Sequence, residues 1–176
     1  MTDKHKLTKI ERQEAYHYPD TKAYNYIINY FEEHGITIRE MAEEAREDQL
    51  KHGVVASIEA YEKAIKDALH KRDVDSIIMC GLELDRLCTK KQLAEPLQSI
   101  MWNDAPAFSP DETFAIAMCL QYSGIAVTNF GARDVHKRGL AKRIDAEEGV
   151  CNVFLDDFAS ALITIAEAKV AHKYSF

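Results

Sequence analysis

From Asn152 to His172 the chain places apolar residues at helical spacing on most sides of the helix they would form. A surface helix needs one apolar stripe; a helix apolar around most of its circumference must be surrounded by other elements. The apolar-rich run within it, around Phe158 to Ala171, is interrupted by Ser160, Thr164, Glu167 and Lys169 and is too short and too polar to cross a bilayer. The segment therefore predicts a central helix with others packed around it. Near its start stand two adjacent aspartates, Asp156 and Asp157, among Val153, Phe154, Leu155 and Phe158. Burying an ionised carboxylate is costly unless it is paired, hydrogen-bonded or bound to a metal.

The rest of the chain supports a bundle. No strand-like alternation lasts for a full strand, and helical periods punctuated by stop signals dominate. Pro19-Asp20 opens a helix that stops at Gly35. Thr37 with Glu40 has the spacing of a capping box for a helix ending near Gly53. Ser57 and Asp73 cap the third and fourth helices, the third running to about Lys71. A short fifth lies within Leu93 to Trp102. Ser109-Pro110-Asp111-Glu112 starts a sixth, with Ser109 as N-cap, Pro110 at N1 and Glu112 at N3. The expectation is an all-α compact bundle of about six or seven helices with an apolar central helix. Residues 1–18 are expected to be a loosely ordered tail, and residues 19–176 a single domain, which the length of 176 residues suits.

Composition narrows the partners. A formal net charge of -7 and a pI near 5.5 argue against nucleic acid or an anionic membrane as a standing partner. The start, Met1-Thr-Asp-Lys-His-Lys, has no apolar core of a signal peptide. Cys80, Cys88, Cys119 and Cys151 show no metal-ligand or redox spacing and read as reduced thiols of a cytoplasmic protein. Tyr16, Tyr18, Tyr24, Tyr26 and Tyr30 offer aromatic surface compatible with a homo-oligomer.

Three acidic clusters carry the functional reading. Asp156 and Asp157 suit the first turn of a helix capped by Asn152, and Asp157, Ser160, Thr164 and Glu167 form one polar stripe. Asp111 and Glu112 suit the start of the sixth helix. The segment Asn129-Phe-Gly-Ala-Arg-Asp-Val-His-Lys-Arg-Gly139 surrounds Asp134 with Arg133, Lys137 and Arg138, in what reads as a glycine-flanked loop. Each cluster has a structural explanation taken alone. Together they are an inventory for phosphate hydrolysis: carboxylates hold a hard divalent cation, and basic side chains neutralise the phosphoryl group. In Gly81-Leu-Glu-Leu-Asp-Arg-Leu87, Glu83 is placed to pair with Arg86. Glu43-Glu-Ala-Arg-Glu47 has the metal-binding pattern of all-α nucleotide pyrophosphatases but lacks their later partner motif, and reads as a solvated acidic face.

Gly81-Leu-Glu-Leu-Asp-Arg-Leu87, Leu93-Ala-Glu-Pro-Leu-Gln-Ser-Ile100, Asp111-Glu112, Thr128-Asn-Phe-Gly131 and Phe154-Leu-Asp-Asp157 occur in that order. Together they resemble the soluble branch of the phosphatidylglycerophosphatase A family, also called low temperature requirement C proteins. The resemblance implies an all-α bundle and a Mg²⁺-dependent phosphatase that converts phosphatidylglycerophosphate to phosphatidylglycerol. It carries the family's acidic pairs onto Asp111 and Glu112 and onto Asp156 and Asp157, and its D-x-x-K segment onto Asp134 and Lys137. The expected metal ligands are Glu112, Asp134, Asp156 and Asp157, with Lys137 on the phosphate, Arg133 or Arg138 assisting, and Asp111 as ligand or general base. Two departures stand out: Arg138 replaces the proline that usually follows the lysine, and the Gly-Thr-x-Gly-Ser segment and membrane spans of membrane-embedded members have no counterpart. The substrate is then a phosphorylated lipid reached by peripheral contact with the inner face of the membrane, or a small soluble phosphate such as a nucleotide. A non-catalytic binding or assembly protein on the same fold is the alternative.

Overall fold

The computed structural model describes residues 8–106 and 108–174. Among these it contains ten helices and no strand: α1 Lys9–Glu14, α2 Asp20–Glu33, α3 Ile38–Leu50, α4 Ile58–Leu69, α5 Arg72–Thr89, α6 Leu97–Trp102, α7 Pro110–Leu120, α8 Gly124–Val135, α9 Gly139–Asp145 and α10 Leu155–Tyr174. The expected class is right and the expected number, six or seven, is too low. The three additional helices have local causes. Thr8 and Glu11 form a reciprocal capping box at α1, which buries none of its residues; residues 1–7 of the expected tail lie outside the described residues. Ser123 accepts the Ala126 N–H and starts α8, and Gly131 sits in that helix facing open space. The glycine-flanked loop expected at 129–139 is thus mostly helix.

α10 is the axis. Fifteen of its twenty residues are buried, and it packs against α3, α4, α5, α7, α8 and α9. Its predicted cap is not the one used. Asn152 Nδ2 instead donates to the Ile144 carbonyl. The fully buried Asp85 of α5 takes the capping role: its Oδ2 accepts the backbone N–H groups of Phe154 and Leu155, both at 3.1 Å. Gly81 lies one turn earlier on the same face of α5. A Cβ there would meet the Phe158 ring and stand 2.8 Å from Phe154 Cδ1, so only glycine lets these two phenyl rings, one in α10 and one just before it, come this close. α5 therefore seats the start of α10, where Asp156 and Asp157 stand.

α8 is held from the other side. Arg133 is buried and spans to α3, with Nη1 2.7 Å from Asp48 Oδ2 and Nη2 on Glu44 Oε2. Arg138 also reaches Asp48 Oδ2, at 2.6 Å. Glu44 Oε1 accepts the Leu140 N–H at the start of α9, beside Gly139, whose φ of 53° lies in the left-handed region. Glu44, within the Glu43–Glu47 face expected to be solvated, is instead, with the neighbouring Asp48, a clamp on α8 and α9. Tyr18 donates to Asp75, Tyr24 stacks on His70 at 4.4 Å, and Tyr30 is buried, so much of the expected aromatic surface is used inside the chain. No helix among the described residues is long and apolar enough to cross a membrane.

Candidate functional site

The three acidic segments meet. Asp111 and Glu112 from the start of α7, Asp134 and Lys137 from the end of α8 and the turn after it, and Asp156 and Asp157 from the start of α10 line one cavity of about 350 Å³. Each pair comes from a helix end that other contacts fix. At α7 the Glu112 N–H is bonded to Asp111 Oδ1 at 2.8 Å, and Ser109 makes no side-chain cap. Glu112 is consequently not used as the capping-box partner the spacing implied, and it stands exposed on the cavity wall. At α8 the alternation of directions sorts the basic cluster: Asp134 and Lys137 face this cavity, while Arg133 and Arg138 face α3 and line a separate one. Two expected phosphate contacts are therefore engaged elsewhere.

Among the described residues, eight carboxyl side chains line the cavity against a single basic one, Lys137. Lys137 Nζ lies 2.8 Å from Asp156 Oδ2 and 2.9 Å from Asp145 Oδ1. That pairing answers for Asp156. Burial raises its pKa to about 6 even so, with Lys137 pulling in the opposite direction. Lys137 itself is raised, because Asp156 and Asp145 outweigh the burial that would lower it. Asp157 has no such partner: among the described residues no cation forms an ion pair with it. Burial, then the charges of Asp156, Asp134 and Asp111, push it up to about 9. Asp111 rises to about 6, from burial first and from Glu112 and Asp104 after its hydrogen bonds are counted.

The donor set is oxygen-rich and carries no sulfur or imidazole ligand at its centre, which suits a hard divalent cation. A cation would also relieve the mutual repulsion at Asp157. Among the described residues, however, no group of three or more His, Cys, Asp or Glu side chains stands in a geometry that would hold an ion as it is. The chemistry of the donors fits such an ion.

Residues around α6 also line the cavity. Buried Gln98 ties this segment to α5, donating from Nε2 to the Cys88 carbonyl at 3.0 Å and accepting the Leu93 N–H at 3.1 Å. That explains the Leu93–Ile100 motif as scaffolding for Trp102 and Phe108, which line the cavity. The sequence reading missed Asp145 and Asp85. Asp145 gave no signal apart from its charge. Asp85 did: it is an acidic residue on the apolar face of α5, one turn after Gly81.

Residues 48–172 match the model of the family described as Phosphatidylglycerophosphatase A, and that span includes all three acidic segments. The chain belongs to the phosphatidylglycerophosphatase A family. Within reach of that family, it is 34% identical over 142 residues to the uncharacterized protein YutG of Bacillus subtilis (strain 168), covering 80% of this chain and 86% of YutG. The crystal structure of protein ypjQ from Bacillus subtilis superposes with a TM-score of 0.84 at 28% identity, covering 90% of this chain and 98% of that one. That of the low temperature requirement C protein from Listeria monocytogenes superposes with a TM-score of 0.81 at 27% identity, covering 88% and 98%. For a phosphatidylglycerophosphatase A family member, the acidic cavity is the candidate active site.

Proposed function

We propose that the protein is a metal-dependent phosphomonoesterase that hydrolyses a phosphatidylglycerophosphate-like substrate to the free alcohol and phosphate. The observation that carries this reading is the convergence of Asp111-Glu112, Asp134 with Lys137, and Asp156-Asp157 on one cavity. Membership of a family described as Phosphatidylglycerophosphatase A supports it.

Glu112, Asp134, Asp156 and Asp157 would hold a divalent cation, Mg²⁺ by donor type, which when bound supplies Lewis acidity and charge neutralisation at the phosphoryl group. Lys137 is placed to take a phosphoryl oxygen by exchanging its contact with Asp156 or Asp145 for one with the substrate. Asp111 keeps one oxygen on the Glu112 N–H, so its carboxylate is fixed in orientation. With its pKa raised to about 6, it is ionised at neutral pH yet basic enough to take a proton from an attacking water, which fits a general base. Trp102 and Phe108 line the same cavity and would exclude water from the part of its wall they cover.

The test is phosphate release from phosphatidylglycerophosphate in mixed micelles, with Mg²⁺, with Mn²⁺ and with chelator. Turnover that requires the metal and disappears in folded Asp157→Asn supports the reading. A fully active Asp157→Asn, or no turnover with either metal, overturns it.

A further inference from the structure

The two carboxylates that hold Lys137 differ in kind. Asp156, at the start of α10, has 3% of its side chain exposed and places Oδ2 2.8 Å from the ammonium. Asp145, the last residue of α9, has 45% exposed and places Oδ1 2.9 Å from it. Among the described residues no other carboxylate of the cavity pairs with Lys137. The lysine therefore bridges a buried carboxylate and a solvated one. The backbone that carries Asp145 is held by bonds in which neither Lys137 nor Asp156 takes part. Arg143 Nη2 lies 2.8 Å from Glu40 Oε2 and 3.2 Å from the Gly35 carbonyl oxygen, and Glu44 accepts the Leu140 N–H. Two residues beyond Asp145, Glu147 Oε2 lies 3.2 Å from His34 Nδ1. Leu140, Ala141 and Ile144 are buried.

A cation in the cavity would act on these two contacts differently. Asp156 is one of the proposed ligands, and a divalent cation on it repels an ammonium that lies against the same carboxylate. Asp145 lies outside that ligand set. A lysine held by Asp156 alone would have to be stripped of its only counter-charge before the cation could bind, which is costly for a half-buried ammonium. A lysine held by Asp145 as well keeps a partner throughout. An ammonium has three donors, so one contact with Asp145 leaves others for a phosphoryl oxygen.

We propose that Asp145 is a positioning residue that acts through Lys137: it keeps the ammonium in the cavity when a cation takes Asp156. The proposal rests on the phosphomonoesterase reading of the cavity. In the metal-free protein Lys137 supplies positive charge to Asp156. When the cation binds, Lys137 gives up Asp156 and retains Asp145. Metal and lysine then serve the same phosphoryl group instead of competing for one carboxylate.

The test is calorimetric titration of Mg²⁺, and of Mn²⁺, into the whole chain as wild type, Asp145→Asn, Asp145→Glu, Lys137→Met and the double variant Asp145→Asn/Lys137→Met. Lys137→Met should bind the metal about tenfold more tightly than the wild type, because nothing competes for Asp156. Asp145→Asn should bind it about tenfold more weakly, and Asp145→Glu, which keeps the charge, should recover most of that loss. In the Lys137→Met background Asp145→Asn should change the affinity by about twofold or less, since there is no ammonium left to position. A loss of the same size with and without the lysine overturns the proposal, because Asp145 then meets the cation through its own charge. An Asp145→Asn that binds as the wild type does overturns it as well. Binding by Lys137→Met where the wild type shows none supports it, the ammonium being the competitor. If neither the wild type nor Lys137→Met binds either metal, the phosphomonoesterase reading itself falls, and the role of Asp145 falls with it.

Discussion

Asp85 Oδ2 on α5 stands 3.1 Å from the backbone nitrogen of Leu155, the first residue of α10. A side chain from one helix thus caps another, immediately ahead of the Asp156-Asp157 pair. Removing it leaves the N–H groups of Phe154 and Leu155 buried without an acceptor, at about 1–3 kcal/mol each. Asp85→Ala should lose several kcal/mol of stability in urea titration, whereas Asp85→Asn, which keeps one acceptor oxygen, should lose less than half as much. Equal losses would mean that charge, not the cap, matters at this position.

Gly81→Ala places a methyl group against the fully buried rings of Phe154 and Phe158. Overpacking of this kind typically costs about 1–3 kcal/mol. Thermal unfolding should show the loss, and activity should fall with it, since the displaced element carries Asp156 and Asp157. A neutral Gly81→Ala would show that α10 can slide without penalty.

Asp157→Asn should stabilise the metal-free protein while destroying the site. The folded pKa of Asp157 is raised to about 9, so its favourable contribution is complete only below the unfolded value near 3.8 and is lost as pH rises towards 9. At pH 8 in chelator, the variant's Tm should exceed the wild type's by about 5 °C. Added Mg²⁺ should raise the Tm of the wild type and leave the variant unmoved.

Asp111, with a pKa raised to about 6, sets a pH limit on turnover. As a base it must be ionised, so kcat/KM should fall as pH drops through about 6. Asp111→Asn should cut kcat and flatten that acidic limb. A limb that survives in the variant assigns the titration to another group.

Glu167 gives a stability slope outside the acidic cavity. Buried near Arg133 and accepting from Asn129 Nδ2 at 2.7 Å, it has a pKa raised to about 7, with burial the leading cause. Its contribution is complete below the unfolded value near 4.5 and is lost between there and about 7, a span worth at most roughly 3 kcal/mol. Glu167→Gln should remove that part of the decline between pH 5 and 7 in unfolding free energy.

The central helix, the all-helical class and the three acidic segments were legible from spacing because they depend on local periodicity and composition. What was not legible depends on contacts between distant segments. The cap of α10 comes from Asp85, so Asn152, the best local candidate, was the wrong residue. Gly131 looked like a breaker because glycine weakens an isolated helix, whereas Arg133 in the next turn anchors α8 to Glu44 and Asp48. The basic cluster of 133–138 gave its charge to the eye but not its division between two cavities, which follows from the direction each side chain takes off one short piece of backbone. Thr8, with Glu11 three residues on, has the spacing of a capping box, so the start of α1 was legible too.

That division has a consequence for how variation in this protein will be read. Arg133 and Asp134 are neighbours in the chain, yet one belongs to a structural brace on α3 and the other to the acidic cavity. A change at Glu44 or Asp48, on a helix that contributes nothing to the cavity lining, will release the brace and let Asp134 and Lys137 drift. In a genetic screen such a lesion would score with the active-site alleles, and a second change restoring the brace would score as their suppressor.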